Sequence, residues 1–416
     1  MDRQTHVPGT GLTRRSAERL RSGTGSTLSY ELRPLVGTGK GGKWPLDPGG
    51  GSRRGLRDER GHNGAVDLLL PGVTAARVPT ARLAVNVLQI DGRQGAPVVF
   101  VHGNASSSLF WQRLMLDLPE RYRPLAVDLR GFGDTDPEPV DATRGVRDYA
   151  DDVRATLSAL GLTRAHLVGW SLGGGVVLQC LRDDPAGPIS VTLVNPVSPY
   201  GFGGTFGIDG TPAQVPGLGS GGGTANPGFI AQIAARDRSA GSPLSPRQVL
   251  LAHYVKPPFV PEGLDYLVES ILSTRLGENH YPGDFTTTDA WPGIVAGRRG
   301  VLNTIAPNNF RLDDLDTIDP KPPVLWVRGT DDVIVSDTSL YDFGHLGALG
   351  LVPGWPGAAA WPAQPMVGQT RAVLDRYAAA GGSYREVAIA DTGHSPFVEK
   401  PAEFRSAPLK TLDAAS

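Results

Sequence analysis

From Thr74 onward, short apolar runs alternate with longer segments of helical period. Residues 76–91 alternate well between apolar and polar side chains. That is the period of a half-buried sheet and predicts one or two antiparallel strands. Pro97-Val-Val-Phe-Val101 is wholly apolar and mostly β-branched, as a strand buried on both faces requires. A helix is expected over Phe110–Leu118, followed by a strand at 124–129. Residues 146–160 place Val146, Tyr149, Ala150, Val153, Leu157 and Leu160 on one helical face, and Gly161 ends the helix. A further apolar run leads into Gly169-Trp-Ser-Leu-Gly173, after which a helical pattern begins. More buried strands are expected at 189–194, 323–328 and 384–390. Strands alternating with helices predict an α/β fold, a mostly parallel central sheet with helices on both faces.

The alternation stops between Val194 and Pro323. Residues 199–228 are glycine-rich, and 229–275 read as helix broken at Pro257, Pro258 and Pro261. A structureless loop of that length is rare inside a domain, so residues 196–321 are expected to form an inserted cap or lid. The core is then 74–195 together with 322–416. A second insertion, 338–362, is rich in Gly, Leu and Trp and reads as loop packing or as an apolar wall of a pocket. Residues 1–65 carry Gly- and Arg-rich patches without any sustained apolar period and are expected to be a disordered extension.

Composition narrows the function less than the pattern does. The 416 residues are 40% hydrophobic and 20% charged, with a net charge of −2, ordinary values for a globular protein. Residues 1–80 hold 13 Lys/Arg against 7 Asp/Glu, so the rest carries the acidic excess. The overall balance gives no reason to expect a nucleic-acid partner. No apolar run reaches the ~18 residues of a membrane span, and no signal-peptide core is evident, so a cytoplasmic location is the default expectation. The single cysteine, Cys180, excludes an internal disulfide and reads as a small buried hydrophobe. No His-x-Glu pair, His-x-x-x-His pair or Gly-x-x-x-x-Gly-Lys-Ser/Thr run is present, so neither metal nor cofactor is expected.

The chemistry is carried by the strand-to-helix junction at Ser171. A strand turning sharply into a helix needs small neighbours, which Gly169 and Gly173 supply. It lifts the serine oxygen above the sheet edge, over a helix N-terminus. A serine hydroxyl needs a base, and His394, in the loop after the last strand, can accept and return a proton. The base needs an acid to fix its tautomer. Asp331 and Asp332 both lie in the loop after the strand 323–328, and spacing from Gly329 favours Asp332. Asn195, after the strand 189–194, is a neutral amide and cannot fill that role. The turn His102-Gly-Asn-Ala aims a backbone N–H at the same edge. The amides of Asn104, with Ala105 next, and of Leu172 are the expected oxyanion donors. Trp170 and Gly103, the immediate neighbours of Ser171 and Asn104, are expected to contact substrate. His102 is expected to shape its turn rather than to titrate in catalysis.

These segments together resemble the α/β-hydrolase fold, from about Thr74 to the C-terminus. The resemblance rests on His102-Gly-Asn, Asp128-Leu-Arg-Gly-Phe-Gly-Asp-Thr-Asp136, Gly169-Trp-Ser-Leu-Gly-Gly174, Gly329-Thr-Asp-Asp-Val-Ile-Val335 and Gly393-His-Ser-Pro-Phe-Val-Glu-Lys-Pro401. It implies Ser171 as nucleophile, His394 as base, Asp332 as acid and amides near Asn104 and at Leu172 as oxyanion donors. The Asp128 segment is implied to be structural. The run after His102 is also similar to haloalkane dehalogenases. Those enzymes, like epoxide hydrolases, use an aspartate nucleophile where Ser171 stands here.

The expectation is therefore a serine hydrolase cleaving a carboxylic ester or related acyl bond of a small, mostly apolar substrate. The alternatives are a carbon–carbon bond, amide or peptide hydrolase on the same residues, an acyltransferase, or a low-turnover binding protein. The sequence does not define an oligomeric state.

Overall fold

The computed structural model describes residues 68–415. The extension expected over residues 1–65 lies outside the described residues. Eight strands form the central sheet: β1 (Val73–Pro79), β2 (Ala84–Ile90), β3 (Ala96–Val101), β4 (Tyr122–Val127), β5 (Ala165–Trp170), β6 (Pro188–Val194), β7 (Val324–Gly329) and β8 (Tyr384–Ile389). Their order is β1-β2-β4-β3-β5-β6-β7-β8. β1 pairs antiparallel with β2, and β2 antiparallel with β4; every later pairing is parallel.

The parallel strands are apolar because both of their faces are covered. Every residue of β5 is buried. Val98, Phe100 and Val168 face Leu114 and Leu118 of the α1 region (Gln112–Asp117) and Phe404 and Leu412 of α8 (Pro401–Ala415). Leu167, one residue along β5, faces Leu157 of α2 (Arg147–Ala159) and Cys180 of α3 (Leu172–Asp183). The two-residue strand period thus divides the core into two layers. Burial pushes the Cys180 thiol up to about 12, leaving it an inert hydrophobe.

The helix expected over 110–118 is split. Residues 108–111 are a 3-10 turn and only 112–117 are α-helical. Ser107 caps that turn by accepting from the Leu109 amide.

Between β6 and β7 the chain builds α4 (Pro227–Ala234), α5 (Leu264–Leu272) and short two-stranded ribbons at 205–212, 276–282 and 285–296. The 229–275 stretch is thus less continuously helical than its pattern predicts. A short α-turn at Pro246–Val249 runs into a π-helical turn at Leu250–Tyr254. The ribbons escape a periodicity reading because each spans only two or three residues per strand.

The second insertion carries α6 (Phe343–Ala348) and packs against the first. Trp361 lies edge-on to Phe206 and Trp291, with centroids 5.2 Å away in both cases, and Trp291 donates its N–H to the Pro353 carbonyl at 3.0 Å. Ala213, Leu218 and Trp361 form a small apolar cluster of their own, separate from the main core. α7 (Met366–Ala379) and α8 complete the layers. Among the described residues, no helix is long and apolar enough to cross a membrane.

Candidate active site

The C-terminal ends of β3, β5, β6, β7 and β8 converge on one edge of the sheet, where α/β folds place their ligands. Ser171 sits at the β5–α3 junction with φ +57° and ψ −119°, a backbone conformation that L-residues rarely adopt. Glycines make that turn possible. A Cβ on Gly169 would lie 2.2 Å from the Gly173 carbonyl oxygen, and one on Gly173 2.4 Å from that of Val101. Strand, elbow and helix therefore approach at backbone distance. The Ser171 amide donates to Val194, and its carbonyl accepts from Gly174 and Val197, which fixes the elbow against β6.

His394 and Asp332 are brought together. His394 Nδ1 lies 2.8 Å from Asp332 Oδ2, and both side chains are nearly fully buried. The other carboxylate oxygen, Oδ1, accepts from the amides of Ile334 (2.7 Å) and Val335 (3.1 Å). Asp331 points elsewhere. Its carboxylate accepts from Thr330 and pairs with Lys256 Nζ at 3.1 Å, and these contacts hold it below the usual carboxylate range. The geometry thus separates the two adjacent aspartates.

Asn195, read in the sequence only for what it cannot do, joins three strand ends. Its Oδ1 accepts from the Gly329 amide at 3.0 Å, and its Nδ2 donates to the His394 carbonyl at 2.8 Å and to that of Gly393 at 3.2 Å. Asn195 has φ +39°, a conformation that asparagine tolerates better than most residues.

The Trp170 indole N–H also donates to the His394 carbonyl, at 2.8 Å. Trp170 is 0% exposed, with Phe110, Phe397, Tyr254 and His394 around its ring. The substrate contact expected of Trp170 does not fit that burial: the indole supports the histidine loop from beneath. Gly103 is also buried, and a Cβ there would sit 3.0 Å from the Ser171 Cβ and 3.2 Å from the Trp170 ring. Its place is to let the β3 loop lie against the elbow.

The amides of Leu172 and Asn104 both lie at this edge. Leu172 is the first residue of α3, and Asn104 lies in the turn after β3. Neither N–H has an acceptor among the described residues, and a helix leaves its first amides without intrahelical partners. The Asn104 turn is held by His102. His102 Nε2 accepts from the Leu129 amide at 3.0 Å, so the ring proton is on Nδ1, which donates to the Gly103 carbonyl at 2.7 Å. Burial lowers the His102 pKa, which keeps the ring neutral. Asp128 is equally structural: it accepts from Asn86 Nδ2 and from the amides of Ser108 and Asp134.

The sequence from residue 98 to 407 matches the Alpha/beta hydrolase family. The chain belongs to the alpha/beta hydrolase family. Solved α/β-hydrolase-fold structures share its architecture. Esterase RhEst1 of Rhodococcus sp. ECU1013 superposes with a TM-score of 0.51 at 22% identity, covering 83% of this chain and 100% of that one. Carboxylesterase CesB (YbfK) of Bacillus subtilis gives 0.51 at 15% identity, over 83% and 94%. RutD of Variovorax paradoxus (strain S110), assigned by its name to carbamate hydrolysis, is 41% identical over 102 residues, 24% of this chain and 38% of that protein. The 2-(acetamidomethylene)succinate hydrolase of Mesorhizobium japonicum is 36% identical over 110 residues, 26% and 38%. The chain thus matches less than half the length of these curated relatives.

Proposed function

We propose that this alpha/beta hydrolase cleaves a carboxylic ester or related acyl bond through an acyl-enzyme intermediate on Ser171. The observation that carries this reading is the buried His394–Asp332 hydrogen bond on the same sheet edge as a serine held at positive φ. With Nδ1 committed to Asp332, the proton of the neutral ring is on Nδ1 and Nε2 is the acceptor. Ser171 Oγ attacks the acyl carbon as its proton passes to Nε2. The oxygen of the tetrahedral intermediate takes hydrogen bonds from the amides of Asn104 and Leu172, each such donor contributing about 3 kcal/mol. The carbon–oxygen bond to the leaving group then breaks, and His394 returns the proton to the departing oxygen. Water, deprotonated by the same Nε2, opens the Ser171 ester, releasing the acid and the free serine.

The exposed apolar side chains of the second insertion, Leu340, Tyr341, Leu349 and Leu351, support a small, mostly apolar acyl or aryl substrate. Tyr341 stands edge-on to His253 at 5.6 Å, and Tyr254, the residue after His253, is edge-on to His394 at 6.4 Å. The segment 196–321 supplies Tyr254, in keeping with a cap over the site.

The test is chromophore release from a ladder of short to long aryl esters, comparing the intact chain with Ser171→Ala. Turnover that disappears in the variant, with an optimum at one acyl length, is expected. Turnover that survives Ser171→Ala would refute the serine mechanism, and a flat or falling length profile would refute the apolar acyl pocket.

A further inference from the structure

We infer that Tyr254, contributed by the insertion, is a positioning residue for the oxyanion turn. The inference rests on the serine-hydrolase reading for its catalytic consequence, and on geometry alone for its structural one. The turn after β3 contains two successive peptide planes, carrying the N–H groups of Asn104 and Ala105, and neither N–H has an acceptor among the described residues. A peptide unit is planar, so holding its C=O holds its N–H. The first plane is held through the Gly103 carbonyl, which accepts from His102 Nδ1 at 2.7 Å and Ser106 Oγ at 2.8 Å. Both of those donors belong to the turn itself. The second plane, which joins the plane of the Asn104 donor at the Asn104 Cα and so sets its tilt, is held from outside: the Tyr254 hydroxyl lies 3.2 Å from the Asn104 carbonyl and 3.1 Å from that of Ala105.

The second plane needs outside support. Ala105 has φ +45°, a conformation that costs energy in any residue with a Cβ and persists only where the surroundings hold it. Tyr254 is itself fixed. It is buried, rings of Phe110 and Trp170 lie against it, and it ends the π-helical turn 250–254, an irregularity that recurs at functional sites. The next residues dock on the other loops of the site. The Lys256 amide donates to Glu399 Oε2 at 2.8 Å, while Glu399 Oε1 accepts from Gly393, next to His394. Lys256 Nζ bridges Asp331 and Asp391. One short stretch of the insertion therefore touches the oxyanion, acid and histidine loops together.

The experiment is Tyr254→Phe, which keeps the ring and its packing and removes only the hydroxyl. Turnover of the best aryl ester and backbone hydrogen exchange of peptides covering residues 102–108 are measured, with the melting temperature recorded for both proteins. The expected result is a kcat lowered about tenfold with KM within twofold, faster exchange confined to 102–108, and an unchanged melting temperature. Wild-type kcat together with wild-type exchange would overturn the inference. So would a lowered melting temperature with faster exchange throughout, since that marks a merely structural contact. Activity that survives Ser171→Ala would defeat the serine reading instead, and the exchange measurement would still decide the role of Tyr254.

Discussion

The exchange Asp332→Asn probes the site most sharply, because the structure dictates how the new side chain must sit. Asp332 Oδ1 accepts from two backbone amides, those of Ile334 and Val335. An amide nitrogen cannot face two donors, so the asparagine oxygen must keep that place. Its NH2 then replaces Oδ2, 2.8 Å from His394 Nδ1, and donates to it. The ring is forced into the tautomer protonated on Nε2, and on the proposed mechanism Ser171 loses its proton acceptor. The same exchange in a serine protease triad lowers kcat about 10⁴-fold with the geometry intact. That corresponds to about 5.5 kcal/mol of barrier. The backbone contacts of the loop survive, so the melting temperature should hardly move. Asp331→Asn is the internal control. Its side chain is 41% exposed and paired with Lys256, and such exposed pairs contribute about 0.2–1 kcal/mol. Its kcat should stay within about twofold of wild type. The assay is steady-state hydrolysis of an aryl ester, with Ser171→Ala as the blank. An Asp332→Asn enzyme retaining more than a tenth of kcat would refute the tautomer argument. Greater damage from Asp331→Asn would show that the neighbouring aspartate is the acid.

Gly103→Ala puts a methyl group 3.0 Å from the Ser171 Cβ, so the elbow must give by a few tenths of an ångström; kcat should fall about tenfold, and a wild-type kcat would show that the β3 loop yields instead. Asn195→Ala strips partners from the Gly329 amide and the His394 carbonyl, both at buried positions. About 2–4 kcal/mol of stability should be lost in urea unfolding, and a loss under 1 kcal/mol would show that the histidine loop stands without it. His166 of β5, hydrogen-bonded to Ser190 of β6, has its pKa lowered to about 4 by burial and by Arg164, against about 6.5 unfolded. The unfolded chain therefore binds more protons across that interval, and the stability His166 contributes is complete above pH 6.5 and lost as pH falls toward 4. Melting curves from pH 7.5 to 4.5 should fall less steeply for His166→Asn than for wild type, and equal slopes would rule His166 out as a source of acid lability.

The fold was legible because burial on both faces leaves a strong mark on a strand. Pro97–Val101 is a wholly apolar run, and Ile189-Ser-Val-Thr-Leu-Val194 carries only small polar residues between β-branched and leucine side chains; both lie in strands of the parallel region. The elbow was legible for a related reason. Backbone-to-backbone contact between Gly169, Gly173 and the end of β3 excludes any side chain, so glycine is written at those positions. The insertions carry neither mark. Their ribbons are too short to show a period, and their apolar residues divide between the main core and the separate Ala213–Leu218–Trp361 cluster.

The supporting residues of the site were missed for a different reason. Asn195, Trp170 and Tyr254 act on His394 or on the turn after β3 through bonds that span 149 to 224 residues of chain. No local pattern requires those partners to meet; the strand order β3-β5-β6-β7-β8 does. Asn195 follows β6 and therefore stands between the elbow and the loop after β7. A buried amide at a sheet edge must find donors and acceptors, and the loops flanking β6 in the sheet supply them. Trp170 follows from the same principle. A tryptophan next to the half-buried Ser171 reads as a substrate contact only while the strand period is ignored. Alternation turns it away from the open edge, and its buried N–H then needs an acceptor, which the His394 carbonyl provides.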